Sequence, residues 1–99
     1  MPQQDVQKLQ DLYNQWCELA PQLEKSLEQW KQAESLLKPL SDFYGSEQWH
    51  ELYDNFNGEL DTQGNYSILS EDALWNAFHE QRQLALEWLK TITESLTKE

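Results

Sequence analysis

From Val6 to Leu37 the apolar residues recur at intervals of three and four. They are Val6, Leu9, Tyr13, Trp16, Ala20, Leu23, Leu27, Trp30 and Leu37, and Glu34 occupies the one register position that is skipped. Only an α-helix gathers residues so spaced onto one face. Gln, Glu, Lys and Asp fill the positions between them, as a solvated face requires. Pro21 lacks a backbone donor and crowds the preceding turn, so a kink is expected there. The stripe nevertheless keeps its phase across Pro21, which predicts one helix over residues 3 to about 44 rather than two. Pro39 is a second interruption. Gly45 then has the residue type that closes a helix in the left-handed conformation.

The rest of the chain reads as two further helices around a loop. Ser46 is a suitable cap for a short helix from Glu47 to about Asn55, with Glu47 placed where the helix dipole favours an anion. Trp49, Leu52, Tyr53 and Phe56 give that helix an apolar face. Asn-Gly and Gly-Asn pairs mark residues 56–69 as irregular. Ser70, followed by Glu71 and Asp72, predicts a third helix over 71–96. Its stripe is Leu74, Phe78, Ala85, Leu89, Ile92 and Leu96, with Arg82 inside it. The expected fold is all-α: one domain over 1–99, a long antiparallel helical hairpin with a short middle helix and an irregular loop.

Charge narrows the function. The formal net charge is -11. Between Pro39 and Gln81 stand nine carboxylates and no Lys or Arg, together with most of the aromatics, all three Gly and both His. Such a surface repels nucleic acid and anionic membranes, so neither is an expected partner. No apolar run approaches the length of a membrane span. One cysteine, Cys17, cannot form an internal disulfide, and a reducing cytoplasm is the expected compartment. The sequon at Asn65-Tyr66-Ser67 is then a coincidence of sequence.

No complete catalytic constellation is present, so the chain is not expected to be an enzyme, and no cofactor or metal is expected. Asp54-Asn55-Phe56-Asn57-Gly58 resembles part of a calcium loop. With Gly58 as the turn glycine, however, the first ligand position falls on Tyr53 and the twelfth on Gly64, where a bidentate Glu is needed. His50 and His79 lack the spacing of a zinc motif. Cys17 has no predicted basic neighbour to activate it. Arg82, the only Arg, is expected to pair with Glu47, Glu51 or Asp42 and so position the helices. Trp16, Trp30 and Trp88 are expected to be core or seam residues. The candidate interaction surface comprises Trp49, Tyr53, Asp72, Trp75, His79 and Arg82.

Two short elements carry a family resemblance. Tyr44-Gly45-Ser46-Glu47-Gln48-Trp49 and Leu69-Ser70-Glu71-Asp72-Ala73-Leu74, with Arg82 eight residues further on, resemble a bacterial family called domain of unknown function 4298. The resemblance covers nearly the whole chain. It implies a small, acidic, all-helical cytoplasmic bacterial protein and brings no activity, cofactor or partner. The chain departs from the family pattern between Asn57 and Ile68, where a basic segment is expected and none occurs.

The expected function is that of a non-catalytic protein-interaction module with an unidentified protein partner, and a homodimer is expected to bury the long seam. An alternative is an acidic inhibitor or nucleic-acid mimic that binds a basic protein. A second alternative is a small ligand binder or enzyme using Arg82 and His79.

Overall fold

A computed structural model of the chain describes residues 2–56 and 58–98. It contains three helices and, among the described residues, no strand: α1 Gln3–Phe43, α2 Glu47–Asn55 and α3 Ala73–Thr97. The fold is the all-α helical hairpin with a short middle helix that the periodicity predicts. α1 runs unbroken through Pro21 and Pro39. It ends at Gly45, whose φ of 78° lies in the left-handed region where a Cβ is costly.

The chain divides into two units, Met1–Leu36 and Leu37–Glu99. The first is a single stretch of helix. None of its described residues is buried; Ala20, Trp30 and Ala33 are half-buried. Its polar face carries local pairs one turn apart, Gln7 Nε2 to Asp11 Oδ1 at 2.8 Å and Gln10 Nε2 to Asn14 Oδ1 at 2.9 Å. Exposed pairs of this kind contribute only a few tenths of a kcal/mol each. The stripe from Val6 to Leu27 therefore forms as predicted, but within this unit it has nothing to pack against.

The second unit contains the core. Its buried apolar residues are Trp49 and Leu74. Around them Leu37, Leu40 and Phe43 of α1, Leu52 of α2, Leu69 of the loop, and Ala77, Phe78, Gln81 and Ala85 of α3 are half-buried. α1 and α3 approach each other here: Tyr44, just past the end of α1, sets its ring edge-on to Phe78 at 5.8 Å.

α2 begins and ends where its sequence signals predict. The Ser46 hydroxyl accepts from the Trp49 amide at 3.1 Å, satisfying one of the free donors of the first turn. α3 starts two residues later than its signals suggest. Asp72 is its N-cap, with no side-chain cap bond. Ser70 still contributes, because its hydroxyl accepts from the Ala73 amide at 3.3 Å and donates to the Ser67 carbonyl at 2.7 Å. The second of these bonds holds Ser70 in a turn with Ser67. That turn displaces the helix start and leaves Glu71 and Asp72 outside the first turn of α3.

The packed face of α3 also differs from the predicted stripe. Leu74, Ala77, Phe78, Gln81 and Ala85 form it, whereas Leu89, Ile92 and Leu96 are exposed. Arg82 lies outside this face and is exposed. At about 100° per residue, Arg82 is rotated to the flank that also carries Trp75, His79 and Leu86.

Candidate functional site

Trp49 organises the second unit. Its indole N–H donates to the Ile68 carbonyl at 3.2 Å, which ties α2 to the loop nineteen residues later. Three rings surround it: Tyr53 stacked at 5.3 Å, Tyr44 edge-on at 5.4 Å and His50 edge-on at 5.1 Å. Tyr44 in turn reaches Phe78, so a chain of aromatic contacts runs from Tyr53 through Trp49 and Tyr44 to α3. Offset and edge-on pairs of this kind add about 0.5–1.5 kcal/mol each beyond the area they bury. At 8% exposure Trp49 supports the surface from below rather than presenting itself on it. Among the predicted surface residues, this placement departs from an exposed aromatic.

The remaining predicted residues are open to solvent. Tyr53, one turn after Trp49, keeps 47% of its surface exposed. On α3, Trp75 and His79 lie one turn apart with their rings parallel within 5° and their centroids 5.2 Å apart. Trp75 is 54% exposed. Arg82 follows three residues after His79. Asp72 is exposed, and its carbonyl accepts from the Asn76 amide at 2.8 Å. The structure thus groups Trp49 with Tyr53, and Trp75 with His79 and Arg82 along one flank of α3.

The expected pairing of Arg82 does not form. Among the described residues it makes no ion pair or hydrogen bond to Glu47, Glu51 or Asp42, and Asp42 is held by Lys38 at 2.8 Å. The reason is helical phase, since Arg82 lies on an exposed flank of α3 outside its packed face. Ion pairs among the described residues are confined to Lys31–Glu28 and Lys38–Asp42, both local to α1. Among the described residues the carboxylates from Glu47 to Glu80 therefore form no ion pair. Asp61 serves the backbone instead, accepting from the Gln63 amide at 3.1 Å.

Two open grooves flank the loop. One, of about 360 Å³, is lined by Leu52, Tyr53, Phe56, Leu60 and Leu69 among others. The other, of about 640 Å³, is lined by Tyr66, Ile68, Leu74, Ala77 and Glu80 among others. Phe56, Leu60, Tyr66 and Ile68 were not among the predicted surface residues. Their signal in the sequence is faint: four large apolar side chains in a segment otherwise marked as polar loop.

Among the described residues no three His, Cys, Asp or Glu side chains converge on a point that would hold a metal ion. The calcium-like segment includes Asn57, which lies outside the described residues. Cys17 is exposed on α1. No helix among the described residues is long and apolar enough to cross a membrane.

The chain belongs to the family described as Domain of unknown function (DUF4298), whose model matches residues 6–91. That span includes both elements that carried the resemblance, and Arg82. No curated protein and no solved structure matches the chain.

Proposed function

We propose that this protein is a non-catalytic protein-interaction module and that Tyr53, Trp75, His79 and Arg82 are its contact residues. The observation that carries this reading is the half-exposed Trp75, stacked on His79 and followed on the open flank of α3 by Arg82, which has no ion-pair partner among the described residues. Trp, Tyr and Arg are the side chains that most often dominate binding energy at interfaces. Here Trp75 and Arg82 stand on α3 and Tyr53 on α2, helices whose neighbouring faces are packed, so little order has to be gained on binding. The grooves beside the loop offer apolar recesses for a partner's anchor residues. The carboxylates around them favour a partner with basic residues flanking that anchor. A cytoplasmic setting agrees with the exposed, unpaired Cys17, and a bacterial one with the family resemblance.

The experiment is affinity capture from lysate with the unaltered protein and with a Trp75→Ala, Arg82→Ala variant of matched stability. A specific partner should be retained by the first and weakened at least about tenfold by the second. An unchanged set of captured proteins would sink the reading.

The carboxylates from Glu47 to Glu80, which form no ion pair among the described residues, support a second reading, an acidic inhibitor or nucleic-acid mimic. Its binding would fall steeply with salt and would be indifferent to Trp75→Ala. The same capture at two ionic strengths separates the two.

A further inference from the structure

We infer that the first unit is a self-association helix, and that its Val6–Leu27 stripe is covered by the same stripe of a second copy of this chain. In heptad terms Val6, Tyr13, Ala20 and Leu27 occupy one core position and Leu9, Trp16, Leu23 and Trp30 the other. A repeat of 3.5 residues is the pattern that lets two helices keep one seam in contact as they wind around each other. The structure leaves most of that seam exposed from Val6 to Leu27, with Ala20 half-buried. Val6, Leu9, Tyr13, Trp16, Leu23 and Leu27 are each between 50% and 60% exposed. Leu12 and Leu19, on the flank beside it, are 61% and 48% exposed.

Physical considerations point to a second copy. Helices owe most of their stability to packing an amphipathic face, so an uncovered stripe of this length is an incomplete element. At roughly 100 Å² for each half-exposed large side chain, the eight residues offer about 800 Å² per copy. Two copies would bury about 1,600 Å², the size of a standard specific interface. The distribution of charge permits it. Residues 1–38 hold six carboxylates and four Lys, whereas residues 39–99 hold twelve carboxylates and three basic residues. The repulsion between two acidic chains is therefore concentrated away from the seam. Pro21 takes a position outside the core of the heptad, where its missing amide does not face the partner helix.

The experiment is sedimentation velocity on the full chain from about 1 to about 100 μM, the range in which an interface of this size and ordinary quality associates. The unaltered protein is expected to be dimeric at the upper end. Trp16→Glu with Leu23→Glu is expected to be monomeric throughout, its dissociation constant raised at least about a hundredfold by two buried charges. Gln15→Glu with Gln22→Glu places the same charges on the opposite face and should remain dimeric. Near-ultraviolet circular dichroism of the second unit's aromatic cluster shows whether each variant is folded. A monomer at about 100 μM, a trimer or larger species, or a seam variant that stays dimeric would each overturn the inference. Trp75→Ala should remain dimeric, so failure here is distinguishable from failure of the proposed contact face.

Discussion

The indole N–H of Trp49 donates to the carbonyl of Ile68 at 3.2 Å. This bond joins the short helix to the end of the loop that leads into α3. Trp49→Phe keeps most of the apolar contact and removes the bond. It should cost about 1 kcal/mol, the usual net value of such a hydrogen bond. Trp49→Ala also empties the space between Tyr44 and Tyr53 and should cost about 3–5 kcal/mol. Urea unfolding followed by circular dichroism measures both, and an unchanged stability of Trp49→Phe would show that the bond contributes nothing.

Gly45 closes α1 at a φ of 78°, with no atom within 4 Å of where a Cβ would stand. Space is therefore not the constraint; backbone conformation is. Gly45→Ala should destabilise the protein by about 1–2 kcal/mol through left-handed strain. Gly45→Asn should cost less, because Asn tolerates that region. Thermal unfolding of the two variants checks the order.

Arg82 makes no ion pair or hydrogen bond with a described residue. Arg82→Ala should leave stability within about 0.5 kcal/mol, as for an ordinary surface position. A loss of several kcal/mol in urea unfolding would mean that the Arg holds a buried carboxylate after all. The contrast with Trp49→Ala separates a residue that supports the fold from one that faces outward.

Trp75 and His79 stack with their rings parallel within 5°. Because Trp75 is half-exposed, Trp75→Ala should reduce stability by no more than about 2.5 kcal/mol, less than Trp49→Ala. Under the proposed function it should nevertheless weaken partner binding at least about tenfold. Parallel measurement of thermal unfolding and capture tests whether the two effects part company.

Local signals were legible along the chain because their physics is local. The stripe of α1, the turn at Gly45 and the Ser46 cap each depend on residues within one or two turns, and each is where the spacing put it. The start of α3 was less legible. Ser70 does cap the Ala73 amide, but its own bond to the Ser67 carbonyl holds a turn there, and Asp72 becomes the first flanking residue. The exposure of Arg82 is hidden in the sequence for a different reason. Leu89, Ile92 and Leu96 extended the apparent stripe of α3 and shifted its centre toward Arg82. Those three residues are exposed, and the true packed face runs through Ala77 and Gln81.

The sequence by itself determined the all-α class, the short middle helix and the concentration of negative charge, since helical periodicity, capping chemistry and charge are properties of neighbouring residues. Only the tertiary structure decided which apolar residues are covered. Trp49 is buried because the loop folds back to place the Ile68 carbonyl on its indole. Trp75 is open because the packed face of α3 is centred on Phe78 and Gln81 rather than on the flank that Trp75 shares with Arg82. Burial is a relation between segments distant in the chain, and no local pattern encodes it.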